Sequence, residues 1–293
     1  MGAEDDRAGF EALAQAGAED VDEAARALGS RLKAKTDPER LKALAALWLH
    51  VAIAQPEDLA RTYDAAAEGW LGEPLGAPAI RAARGVPPVA IPPGCWTLLW
   101  ALVTESGGLG STSRGVAAIG ELLPYEVTRR AERAAKTFPA GDAPDPSTPL
   151  DNRALARCPP GSLGTAFVEL SSADGAQSLR RRDFWRLVAG YETTALHEMA
   201  FAAFQLAQTG HPAPARYLAL LLTRVAFEQP AGGPIVLAAI LTAWTHGRRS
   251  PPLAEVRWET LWGLTPDAAR AKLGLAAYAS PFPAGIFEQA AEA

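Results

Sequence analysis

The sequence predicts an all-α protein: a multi-helix bundle carrying an N-terminal helical extension. Three observations predict it. Alanine and leucine dominate the periodic segments, runs of β-branched residues are scarce, and apolar residues recur at helical spacing. A chain of 293 residues is long enough for one large domain, or for a domain with an appendage.

The clearest element is "TDPERLKALAALWLHVAIAQP", residues 36–56. Asp37 is placed to cap a helix, Pro38 suits its first turn, and Glu39 complements the positive helix end. Leu41, Leu44, Ala45, Trp48, Val51 and Ala52 then recur on one face, and Pro56 stops the run. Residues 1–72 thus form a helical extension, and the Pro- and Gly-rich residues 73–94 form a connector. Residues 95–288 form an all-helical domain. It opens with "CWTLLWALV" and "GVAAIGELLPYEVTRRAERAAKT", two helices, followed by a loop over 138–149. Four helices are expected over 179–189, 194–209, 214–227 and 234–246, and another over 264–278 with Thr265 or Pro266 at its start. "GTAFVEL", 164–170, is the one place where a short strand or extended piece is expected. No internal repeat is present.

The net charge of −5 and pI near 5.5 argue against a nucleic-acid binder, which needs a basic face to neutralise phosphates. The same balance argues against strong attraction to an anionic membrane surface. Cys95 and Cys158 form no CxxC pair, and two cysteines cannot build a structural zinc site, so they read as free thiols of a reducing compartment. The acidic "MGAEDDRAGF" does not resemble a signal peptide, and no stretch reaches the ~18 apolar residues of a spanning helix. The expected location is the cytoplasm.

Chemistry concentrates in residues 181–201, "RRDFWRLVAGYETTALHEMAF". With residues 180–189 on a helix, Arg182, Asp183 and Arg186 share one face. Gly190 can end that helix in the left-handed conformation, and Thr193 or Thr194 can cap the next one. Its first turns carry His197 and Glu198, and the helix–turn–helix can return Glu198 toward Asp183.

This stretch resembles the signature of the coenzyme Q (ubiquinone) biosynthesis protein Four family: His-Asp-x-x-His, a Gly four residues on, and a Glu after eleven intervening residues. Here those positions are Arg182, Asp183, Arg186, Gly190 and Glu198. "DFWRLVAGYETTALHEMAFAAFQLAQTGHP" also resembles the family's Asp-Phe-Trp segment and its Gln-Thr-Gly-x-Pro turn, at Gln208, Thr209, Gly210 and Pro212. "LARCPPGSLG" is similar to its Pro-x-Gly-Thr-Leu-Gly segment through Pro160, Gly161, Ser162, Leu163 and Gly164, and "VRWETLWG" to its closing Trp-Glu. The similarity spans residues 95–265 and is strongest over 155–212. It implies an all-helical, dimeric protein that binds a polyprenyl lipid or quinone precursor between helices. The family organises other biosynthetic enzymes, is credited with removing a ring carboxyl group, and carries a metal, thought to be zinc, on the His/Asp/His/Glu set. Peripheral membrane contact is a corollary.

The departure falls on that set. Both histidines are arginines, and the normally small residue before the Glu is His197. A guanidinium stays protonated and offers no lone pair. The remaining candidates for catalysis or for a metal are Asp183, Glu198 and His197. Neighbours on a helix point about 100° apart, so His197 and Glu198 can share an ion only at a helix end. Two guanidinium groups would also repel a dication, so the sequence argues against zinc or any other cofactor.

Replacing an ion and two neutral histidines by two arginines leaves the formal charge unchanged. The expectation is a ligand-like cluster in which Arg182 and Arg186 bridge Asp183 and Glu198. The bland alternative is a solvated basic helix start, and a third is a grip on an anionic head group. His197 reads as a packing or capping histidine. His50, His211 and His246 are scattered, and the glycine-rich "ESGGLGSTSRG" reads as a loop lacking the Lys-Ser/Thr end of a phosphate loop. "ARYLALLLTRVAF" and "PIVLAAILTAW" are apolar nearly all round and read as central core helices, or, under the resemblance, as walls of a lipid tunnel. The leading expectation is a metal-free protein that binds a prenyl lipid or quinone precursor, or scaffolds other enzymes. The alternatives are an enzyme acting on a carboxylated aromatic precursor, and a purely structural or interaction protein.

Overall fold

Asp37 and Pro38 act as their chemistry dictates. In the computed structural model the Asp37 carboxylate accepts from the amides of Glu39 and Arg40, at 3.1 and 3.2 Å, and Pro38 opens the helix. The structure describes residues 3–80, 85–104, 109–138, 152–155, 157–173, 181–283 and 286, and every regular element among them is helical. Four helices precede the connector: α1 (Ala3–Ala16), α2 (Val21–Ala34), α3 (Pro38–Ile53) and α4 (Leu59–Leu71). After it come α5 (Pro93–Thr104), α6 (Leu109–Leu122), α7 (Tyr125–Ala135) and the single turn α8 (Asn152–Leu155). Then follow α9 (Leu163–Ala173), α10 (Arg181–Ala189), α11 (Ala195–Thr209), α12 (Pro212–Glu228), α13 (Gly233–Arg249) and α14 (Pro266–Leu273). No helix among the described residues is long and apolar enough to cross a membrane.

The central helices are those that read as apolar all round. α12 packs along α3, α11 along α13, and α13 also rests on α4. Trp48 of α3 stacks on Tyr63 of α4 with centroids 4.4 Å apart, and Tyr63 meets Trp244 of α13 at 4.9 Å. Phe10 of α1 packs edge-on against Trp100 of α5 and Phe227 of α12, at 5.6 and 5.3 Å. The helices of residues 1–72 therefore share one apolar core with those that follow. His50 closes α1 over α3 by donating to the Ala14 carbonyl at 2.9 Å. A side chain at Gly17 would collide with the His50 ring, and its φ of 66° also favours glycine.

Among the described residues of the connector only Pro93 and Gly94, which open α5, are helical, and arginines hold the rest. Arg130 of α7 donates to the Pro87 carbonyl at 3.0 Å and fork-pairs with Glu57 at 2.8 Å. Arg248 and Arg249 at the end of α13 donate to the carbonyls of Pro78 and Leu75, at 2.5 and 2.9 Å. Backbone groups without a regular partner are thereby satisfied.

Four expectations need correction. "GTAFVEL" lies within helix α9, not a strand: the Ser162 hydroxyl accepts from the Thr165 amide, and Leu163 and Phe167 share a buried helical face. The run 115–137 is two helices rather than one, because Pro124, with no amide hydrogen and an extended ψ of 141°, separates α6 from α7. Residues 109–115 of the expected glycine-rich loop belong to α6, while 105–108 lie outside the described residues. The last helix stops at Leu273, since Gly274 turns left-handed at φ 65°, and the chain then runs extended to donate from Tyr278 N to the Ala189 carbonyl. Of the expected 138–149 loop, residues 139–149 lie outside the described residues, as do 179–180 of the expected helix 179–189.

Candidate functional site

The site is the corner between α10 and α11. Gly190 ends α10 at φ 80°, and its amide returns to the Arg186 carbonyl at 3.0 Å, as does that of Tyr191. Thr194 caps α11, its hydroxyl accepting from the His197 amide at 3.3 Å. This short turn faces the last turns of α10 with the first turn of α11.

Arg186 crosses the corner. Its Nη2 donates to Glu198 Oε1 and to the Glu192 carbonyl, the latter at 3.3 Å, and its guanidinium lies 5.5 Å over the face of Phe201. The pair is asymmetric: the Arg186 side chain is 7% exposed and that of Glu198 40%. Arg186 Nε is buried without a hydrogen-bond partner. Asp183 stands in the first turn of α10, half-buried, and the Arg182 side chain lies outside the described residues. The bridge between the helices is therefore described for Arg186 and Glu198.

His197 faces the same corner. Its Nδ1 accepts from the Glu192 amide at 2.8 Å, so the neutral ring carries its proton on Nε2. It stands edge-on to Tyr278 at 5.4 Å and to Tyr191 at 6.3 Å. Tyr191 and Tyr278 stack at 4.4 Å, and the Tyr191 hydroxyl meets His246 Nδ1 at 3.0 Å. His246 Nε2 lies 2.9 Å from the Ala276 carbonyl and must donate to it, so Nδ1 accepts from Tyr191. Tyr191, Tyr278 and His246 were not foreseen as neighbours of the motif. They come from separate segments, and only Tyr191, directly after Gly190, lay close enough in sequence to be noticed.

Burial pushes the Tyr191 and Tyr278 hydroxyls above the usual tyrosine range, and does the same to Tyr217, which also feels the Glu198 carboxylate. Burial lowers both histidines below the ordinary range, against a raising effect of Glu192 on His197 and of the Ala276 hydrogen bond on His246. The nearby cations Arg186 and Arg270 lower them further, respectively. A free histidine titrates near pH 6.5, so below that pH the unfolded chain takes up protons that the folded chain refuses. The histidine contribution to stability is thus complete above about pH 6.5 and falls as the pH drops. The urea midpoint is expected to decrease between pH 7 and pH 5, and His246→Gln, which can keep both hydrogen bonds, to flatten that decrease. An unchanged slope in the variant contradicts the assignment.

The residues here do not suit a zinc ion. Arg186 supplies no lone pair, its cationic end is set on the Glu198 carboxylate, and the His197 Nδ1 lone pair is taken by an amide. Among the described residues no three of His, Cys, Asp and Glu come together in a way that could hold a metal. What the arrangement can do is fix the angle of two helices around a neutralised guanidinium.

No family model matches the chain, and no curated protein matches it. Among solved structures, a Nostoc punctiforme PCC 73102 protein assigned by name to ubiquinone biosynthesis is similar to it. The two share 20% identity at a TM-score of 0.48, over 61% of this chain and 96% of that one.

Proposed function

We propose that the protein is a metal-free relative of the ubiquinone-biosynthesis Four family, binding a prenyl lipid or quinone precursor, or scaffolding the enzymes that act on one. The observation that carries this reading is Arg186. It occupies the second histidine position of the motif, is buried, and bonds the glutamate of the same motif across the Gly190 turn. An arginine so placed puts one positive charge where the family pattern puts an ion. The frame of the site is kept while its chemistry is replaced. A groove of about 580 Å³ between α5 and α6, lined by Leu98, Ala101, Ala118 and Leu122 among others, offers an apolar surface to such a ligand. In this reading the protein is a cytoplasmic homodimer without a catalytic metal.

Native mass spectrometry of the gently purified protein tests it. The expected spectrum is a dimer with bound prenyl lipid and no metal. A stoichiometric metal overturns the reading and brings forward decarboxylase-type chemistry at Asp183 and Glu198. A lipid-free, metal-free species favours a purely structural role.

A further inference from the structure

Four arginines are buried among the described residues: Arg130, Arg186, Arg216 and Arg248. Three have a carboxylate. Arg130 forks onto Glu57, Arg186 pairs with Glu198, and Arg248 contacts both oxygens of Asp64 at 3.1 and 3.2 Å. Arg216 is the exception. It projects from the second turn of α12, which packs on α5 and α6 as well as α3, and only 8% of it is exposed. Its Nε is fully buried without a hydrogen-bond partner. Among the described residues the one ionisable neighbour that influences it is Cys95 of α5, a thiol that burial keeps protonated by raising its pKa.

The guanidinium is also given room. Gly120 of α6 has no side chain, and a Cβ there would stand 2.7 Å from Arg216 Nη1. A desolvated cation without a counter-charge is among the least favourable things a core can hold, and methionine or leucine would fill the place without that penalty. A buried, unsatisfied polar group of this kind calls for a partner that the described residues do not supply.

We propose that Arg216 is the receptor for an oxyanion, a carboxylate or phosphoryl group, which enters between α5, α6 and α12 and supplies the missing negative charge. The planar fork of donors matches the two oxygens of either group. The remaining exposed edge of Arg216 is the route of entry, and Gly120 leaves Nη1 free to take part. This site shares α5 and α6 with the groove described above but is argued from Arg216 and Gly120 alone, and it does not rest on the function proposed there.

The test titrates inorganic phosphate and benzoate separately into the full-length protein in low-salt, oxyanion-free buffer, reading heats by calorimetry and the melting temperature. Saturable binding with a rise in Tm is expected for at least one probe. Phosphate alone assigns a phosphoryl ligand, and benzoate alone a carboxylate. Arg216→Met is expected to melt at the same or a higher temperature without anion, and to lose saturable binding. Gly120→Ala, which keeps the charge but crowds Nη1, is expected to weaken binding by about tenfold, the worth of one charge-assisted hydrogen bond. Phosphate also stabilises folded proteins generally by exclusion from their surface. An equal Tm rise in wild type and Arg216→Met therefore overturns the proposal, as does the absence of saturable binding with both probes. If Arg216→Met does not fold, undiminished binding in Gly120→Ala overturns it.

Discussion

Gly69→Ala is expected to lower stability by roughly 3 kcal/mol, and the melting temperature by roughly 6–10 °C for a chain of this size. α2 and α4 run so close that their backbones touch. A Cβ at Gly69 would lie 2.1 Å from the Arg26 carbonyl oxygen, and one at Gly29 would lie 2.4 Å from that of Ala66. Neither obstacle is a side chain that can swing aside, so the helices must separate. Doing so loosens the contact of α4 with α13, through Tyr63 and Trp244, as well as that with α2. Gly9 of α1 provides the internal control, because nothing lies within 4 Å of its Cβ position. Gly9→Ala is expected to be neutral or stabilising by up to about 1 kcal/mol, since alanine is the better helix former. Thermal melts of the two variants check this, and equal shifts would show that α2 and α4 are not in backbone contact.

The second large effect is an order of two losses. Glu198→Ala is expected to destabilise by roughly 3 kcal/mol, because it takes the paired carboxylate from a buried guanidinium and leaves it the weaker contacts to the Glu192 carbonyl and the Phe201 ring. Arg186→Ala is expected to be milder, about 1–2 kcal/mol: it removes a buried stem, but the carboxylate left behind is 40% exposed and can turn to water. Arg186→Met, which fills the space without a charge, should lie nearest wild type. Urea titrations give the ranking. A Glu198→Ala variant as stable as wild type would mean that the corner is a solvated helix start, and that the charge-replacement idea behind the proposed function is wrong.

What could be read in the sequence was what local chemistry decides. The Asp37–Pro38 start and the Gly190 stop are set by one or two residues each and stand where the sequence puts them, and of the paired candidates Thr193 or Thr194 and Thr265 or Pro266 the caps are Thr194 and Thr265. The helical spacing of Arg186, Gly190 and Glu198 was equally legible, since it depends on one short turn. "GTAFVEL" misled because its β-branched and aromatic residues satisfy both periods over so short a run, and the Ser162 cap that decides for helix lies just outside it. Pro124 was in plain view, but the apolar periodicity on either side hid the break. The aromatic cluster of Tyr191, His246 and Tyr278 was beyond reach because no local rule brings three distant segments together. Arg216 was hidden differently: in "ARYLALLLTRVAF" a single arginine near a helix start reads as a surface residue, and only the packing of α5 and α6 shows it enclosed.

The bond from Trp244 Nε1 to Asp64, 2.8 Å long, spans 180 residues of chain, and that from Arg248 to the same carboxylate spans 184. On a ribosome the segment carrying Asp64 is therefore made long before its partners. At the usual 5–20 residues per second the wait is on the order of 10–40 s. Throughout that time the face of α4 on which Tyr63 meets Trp244 has no α13 to cover it. Termination of synthesis before α13 would leave that apolar face open, and such a fragment is expected to associate through it.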